Sequence, residues 1–192
     1  MNKHERVAQL VQQAYASSTD ALAHWMWDNH VQMVAQKAEE LSRQHNANID
    51  LAVAGAWLHD FGDAFVNRHD KQFEAISEKK SRALLKESEY TPDEIEEVMN
   101  AVIKPHECRE DCLPLTLEGK ILTTADAYAH FMTSFYTEFC WMHIPENKTY
   151  PEFIDWVTEK FERDLHTKIF FEDVREQVMP RYGALKEVFV GR

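Results

Sequence analysis

An all-α domain is the fold class this sequence predicts, on three observations. Apolar residues recur at helical spacing almost throughout, with no convincing two-residue alternation. Turn formers are scarce, with 5 glycines and 6 prolines in 192 residues. Helix start signals recur: "TPDE" at 91–94 and "TYPE" at 149–152 each offer a Thr cap, a Pro in the first turn and a Glu that closes a capping box. The length fits one domain with a substantial core, and no repeat or linker composition divides it.

Residues 3–16 give the first helix, with Val7, Leu10, Val11 and Ala14 on one face. "SSTD" at 17–20 caps a long second helix that runs to about residue 45. Asp50 is the expected cap of the third, in which "AGAWLHDFGDAF" at 54–65 runs small and apolar before setting His59 against Asp60. A fourth helix covers roughly 70–88 and a fifth about 92–104, while residues 105–115, with two prolines and two cysteines, read as a loop. Thr116 opens a long helix to about 142 and Thr149 another. "FFEDVREQVMPRYGALKEVF" at 170–189 reads as one helix broken at Pro180. The expected domain is therefore single, with a core over about 22–135 and C-terminal helices over 149–190 packed on it.

The 33 acidic against 21 basic residues give a formal net charge of −12. Such a surface repels polymeric nucleic acid, although one positive pocket can still take a small anion. The start, "MNKHERVAQLVQQAY", lacks the apolar core of a signal peptide. No run approaches 18 apolar residues, so no membrane span is expected. Three cysteines give no disulfide framework. The default location is cytoplasmic, and a homodimer is left open.

His59 and Asp60 are neighbours on a helix, so their side chains diverge by about 100° and meet one ion only near the helix end. His30 shares an inward stripe with Val34, Ala38 and Leu41. Asp126 lies among Ile121, Leu122, Ala125 and Ala129. Alone, each has a bland reading as a hydrogen-bonded core histidine or a capping or paired aspartate. Together, two histidines and two aspartates on three inward-looking helices would need four separate partners, and one divalent cation satisfies them all.

His30, the pair His59–Asp60 and Asp126 match, in order and approximate spacing, the signature of the HD phosphohydrolase superfamily. "AVAGAWLHDFGD" resembles the family's small apolar run into His-Asp, and "TLEGKILTTADAY" its segment ending in Ala-Asp. The resemblance covers roughly residues 22–135. It implies an all-α fold, a divalent metal held by these four residues, and hydrolysis of phosphate esters or anhydrides, commonly in nucleotides. A mixed nitrogen and oxygen set suits Mn²⁺, Fe²⁺, Co²⁺, Ni²⁺ or Zn²⁺, and Mg²⁺ less comfortably. Four ligands in octahedral geometry leave two positions for water and a phosphoryl oxygen. Some dinuclear iron members of the family are oxygenases, and a nucleotide-sensing module without catalysis is a further alternative.

Asp63, in "HDFGD", reads either as a base or orienting group beside the site or as an exposed turn residue. Cyclic-dinucleotide phosphodiesterases of the HD-GYP type carry Lys there, so this chain departs from that branch. It also lacks the acidic pair of the alarmone hydrolases. His106, in "AVIKPHE", stands where many family members carry a His that meets substrate or a second metal; His69 is a similar candidate. Lys80, Lys160 and Lys168 are the candidate phosphate contacts, each with a solvated surface cation as the plainer reading. His130, four residues after Asp126, shares its face as a candidate supporting group. Cys108, Cys112 and His106 lack a clear fourth ligand for zinc. The expected partner is a small phosphorylated substrate.

Overall fold

The computed structural model describes residues 1–142 and 149–191. In chain order its helices are α1 (Lys3–Ser17), α2 (Ala21–Met26), α3 (Gln32–His45), α4 (Ile49–Leu58), α5 (Phe73–Glu87), α6 (Pro92–Glu96), α7 (Leu117–Met132), α8 (Cys140–Met142), α9 (Tyr150–Arg163) and α10 (Glu172–Phe189). Wider π turns follow α2 (Trp27–Val31), α6 (Glu97–Ile103) and α9 (Asp164–Lys168) and precede α8 (Phe135–Phe139). Among the described residues there is no strand, only an isolated bridge between Arg109 and Cys112. No helix among them is long and apolar enough to cross a membrane.

The centre is α4, packed between α1, α3, α7 and the 97–103 turn. Leu51 through Ala56 and Leu58 are all buried, which explains a helix apolar on every face. Its small residues let neighbours approach. A Cβ on Gly55 would fall 2.5 Å from Val102 Cγ1, and one on Gly119 of α7 would fall 2.6 Å from the Ala101 carbonyl oxygen. Two glycines therefore seat the 97–103 turn against α4 and α7. On the other side α10 packs on α7 and α9, adding Phe153, Val157, Phe161, Val174 and Val178 to the core.

Several elements differ from expectation. Asn48, not Asp50, caps α4, because its side chain accepts from Leu51 N while Asp50 turns to His4 Nδ1 at 2.7 Å. The fifth helix is α only to Glu96 and continues as a π turn, and the expected loop begins with a 3₁₀ turn, Lys104–Glu107. The helix after Thr116 stops at Met132, where Thr133 takes an extended conformation. Pro180 does not break α10. Pro180 and Glu176 are both exposed, so the ring and the turn it disturbs lie on the solvent side of the helix.

Gly55→Ala is expected to lower stability by about 1–3 kcal/mol, because the new methyl meets a stiff, buried β-branched side chain. Urea unfolding of the variant against the parent reads this as a shift in midpoint at constant slope.

Candidate metal centre

α4 ends at Leu58, and that ending makes the site. His59 is still in helical conformation, but Asp60 is not, with φ −115° and ψ 24°. Tyr15 of α1 fixes the break by donating its hydroxyl to the Asp60 carbonyl oxygen at 2.9 Å. Burial pushes the Tyr15 phenol well up, which keeps the proton it donates. Two neighbouring side chains that would diverge on a continued helix thus turn toward one point.

His30 arrives from the π turn after α2, and Asp126 from α7. His30 Nε2 lies 3.0 Å from His59 Nε2, 3.3 Å from Asp126 Oδ1 and 3.6 Å from Asp60 Oδ2. His59 Nε2 lies 3.5 Å from Asp60 Oδ2 and 3.7 Å from Asp126 Oδ1. Donors bound about 2.1 Å from one ion in adjacent octahedral positions stand about 3 Å apart, so these spacings suit a shared divalent cation. The protonation pattern agrees. His59 Nδ1 donates to the Ala56 carbonyl oxygen at 2.8 Å, which leaves Nε2 as a lone pair aimed at the other donors. Burial holds both His30 and His59 below the ordinary imidazole range, against the pull of the carboxylates, and a neutral imidazole is the metal-binding form.

Each carboxylate is matched by a cation. Lys168 is wholly buried, and its Nζ donates to Asp126 Oδ2 at 2.7 Å. Burial pulls Lys168 down, but Asp126, Glu107 and Asp164 outweigh it and hold the ammonium charged. Arg68 Nη2 lies 3.1 Å from Asp60 Oδ2 and also grips Asp63. Burial raises Asp60, yet Arg68 and the histidines hold it low; for Asp126 burial is likewise outweighed, by His130 and Lys168. Burial pushes the Asp63 carboxyl up to about 6, against the pull of Arg68.

Behind Asp126 stands a second tier. His130 Nε2 lies 3.2 Å from Asp126 Oδ1, and Nδ1 donates to Asp164 Oδ2 at 2.9 Å. Tyr136 donates to the same Asp164 oxygen at 2.8 Å. His130 stacks on Phe135 with ring centroids 3.7 Å apart, and the His30 ring lies near parallel to it at 5.2 Å. Two donor triads result, His30–His59–Asp60 and His30–Asp126–His130, which share His30.

Beside the centre lies a cavity of about 430 Å³, lined by Arg68, His69, Phe135, Phe139, Trp156, Glu159, Lys160 and Arg163. Four of these are basic side chains on a chain of net charge −12. Phe135 and Arg68 connect cavity and centre, since one touches His130 and the other Asp60.

The structure thus brings His30, His59, Asp60 and Asp126 together. His106 stands close, edge-on to the His59 ring at 5.5 Å, with Nδ1 donating to the Ile103 carbonyl oxygen and Nε2 3.3 Å from Glu107. Asp63 is buried on Arg68 rather than exposed in a turn. His69 and Lys160 line the cavity, and Lys160 also reaches Asp164 at 3.6 Å. Lys168 sits inside the protein on Asp126, and Lys80 stands exposed on α5 over the Phe65 ring. Among the described residues neither Cys108 nor Cys112 joins a group of metal donors. Arg68 and the Asp164 partnership escape sequence reasoning. Arg68 sits in a loop eight residues past Asp60, where no periodicity applies, and Asp164 opens a π turn that breaks the helical count.

A family model for the HD domain matches residues 27–130, just over half of the chain. No curated protein and no solved structure matches it.

Lys168→Met is expected to cost about 3 kcal/mol or more of stability, because it leaves the Asp126 carboxylate buried without its cation. The double variant with Asp126→Asn should recover part of that loss. Unfolding free energies of the two single variants and the pair give the coupling directly.

Proposed function

The chain belongs to the HD-domain family, a metal-dependent phosphohydrolase superfamily, and from that premise we propose that it hydrolyses a phosphate ester or anhydride of a small phosphorylated metabolite, above all a nucleotide. The observation that carries this reading is the convergence of His30, His59, Asp60 and Asp126, at spacings of 3.0–3.7 Å, beside a cavity with a basic rim. The metal is a divalent ion of the Mn, Fe, Co, Ni or Zn kind held by those four side chains. When bound, such an ion polarises a phosphoryl oxygen and lowers the pKa of water toward neutrality.

The chain's own residues do the rest. His30 and His59, kept neutral by burial, offer nitrogen lone pairs. Lys168 holds the Asp126 carboxylate in its orientation, and the His130 ring packs beside it. Arg68, Lys160, Arg163 and His69 draw an anion into the cavity and stabilise charge on it. Phe135, Phe139 and Trp156 supply flat apolar wall, which suits an aromatic base. His106, edge-on to the His59 ring, meets phosphate in this reading, its Nε2 exchanging Glu107 for the anion. In this reading the substrate is a small molecule rather than polymeric nucleic acid or a membrane surface, a homodimer is allowed, and the cytoplasm is the setting.

A panel of phosphorylated metabolites assayed with Mn²⁺, Co²⁺ and Ni²⁺ tests this. Release of phosphate without oxygen consumption is the expected result. Oxygen uptake instead selects a diiron oxygenase, and tight nucleotide binding with no turnover under any metal selects a sensing module. Asp60→Ala is expected to abolish both metal retention and hydrolysis, read by metal content after gel filtration and by phosphate release. His106→Ala is expected to keep a metal ion and lose about 10–100-fold in kcat/KM, the worth of one hydrogen bond to a charged group; unchanged kinetics would make it a bystander.

A further inference from the structure

Arg68 stands between the two halves of the site. Its Nη2 lies 3.1 Å from Asp60 Oδ2, the oxygen that faces His30 Nε2 at 3.6 Å and His59 Nε2 at 3.5 Å. The same nitrogen is 2.5 Å from Asp63 Oδ2, and Nε reaches Asp63 Oδ1 at 3.3 Å. The guanidinium rests over the Phe139 and Phe73 rings, at 5.0 and 5.9 Å, and forms wall of the cavity together with Lys160 and Arg163.

This placement sets up a competition. The Asp60 oxygen that faces the histidines is the one that a divalent ion would use, and a guanidinium on that oxygen opposes a second cation by Coulomb repulsion. Most arginines displaced from a carboxylate would swing into solvent. Asp63 prevents that, because its two-point grip on Nε and Nη2 is independent of Asp60. Neither carboxylate uses Nη1, so a guanidinium still held by Asp63 has N–H groups left to donate beside the basic cavity.

We propose that Arg68 couples cation binding to anion binding: it neutralises Asp60 when no ion is present and, displaced from Asp60 by the ion but retained by Asp63, donates to a phosphoryl oxygen in the adjoining cavity. The proposal rests on the metal-centre reading above. It makes Arg68 a binding residue and Asp63 a positioning residue that acts through Arg68, in place of a base acting on water. Linkage then requires the ion and the anion each to strengthen binding of the other.

The test is isothermal titration of the full chain with Mn²⁺ alone, and with inorganic phosphate at saturating Mn²⁺. Arg68→Gln is expected to tighten Mn²⁺ binding about threefold or more, since a competing cation is gone. It should weaken phosphate binding roughly tenfold, since a charged donor is gone. Arg68→Lys keeps the charge without the fork and should weaken phosphate while leaving Mn²⁺ near the parent value. Asp63→Asn should do the same through lost positioning. Opposite shifts for the two ligands are the signature, because mere structural damage weakens both. Parallel weakening, or phosphate binding unchanged in Arg68→Gln and Arg68→Lys, overturns the proposal and leaves the metal centre standing. If Arg68→Gln does not fold, Arg68→Lys decides by its phosphate affinity alone: weakened supports the proposal, unchanged overturns it. A parent chain that binds no Mn²⁺ overturns the metal-centre reading, and this proposal falls with it.

Discussion

Two carboxylates, Asp60 and Asp126, face the same pair of imidazoles in an apolar interior, and the architecture around them is organised to make that tolerable. An unmatched buried carboxylate costs several kcal/mol. Arg68 answers Asp60 from a loop, and Lys168 answers Asp126 from the π turn after α9. Docking of the C-terminal helices is therefore part of the centre's electrostatics as well as of the core. The Lys168 segment is pinned from several sides: Thr124 Oγ1 donates to the Lys168 carbonyl oxygen and accepts from Phe170 N, and Arg175 donates to the Leu165 and Ile169 carbonyls.

The supporting contacts form a chain rather than a set of separate bonds. Asp164 takes bonds from His130 and Tyr136, His130 abuts Asp126, and Asp126 abuts His30. Burial drives His130 down to about 4, so at neutral pH its proton sits on the nitrogen that faces Asp164. Groups bonded in series at low local dielectric polarise one another and fix one another's orientation. Phe135, stacked on His130 and itself part of the cavity wall, extends that order to where a substrate would rest.

Much of this was legible in the sequence, and the reasons are local. α4 could be read because seven of its residues, 51–56 and 58, are apolar or small, and the 91–94 and 149–152 capping boxes form as their spacing demands. His30 and Asp126 could be read because each is the polar member of a stripe whose other members, Val34, Leu41, Ile121 and Ala125 among them, are fully buried. Arg68 could not be read, since a loop residue's position depends on a chain path that periodicity does not encode. Helical counting puts Lys168 on one face with Lys160 as a phosphate contact, whereas the π turn carries it inside onto Asp126. Pro180 misled in the opposite direction: a proline inside a helix costs one i→i−4 bond but need not end it, and here it sits on the exposed face of α10, away from the packed side.

The central claim is that one divalent ion is held jointly by two imidazoles and two carboxylates from three parts of the chain. X-ray absorption on the Co²⁺-loaded full chain addresses it most directly, because imidazole rings leave a distinct multiple-scattering signature. The expected spectrum has only nitrogen and oxygen neighbours at about 2.1 Å, with scattering from two histidines. A spectrum without imidazole, or with sulfur in the first shell, would contradict the account.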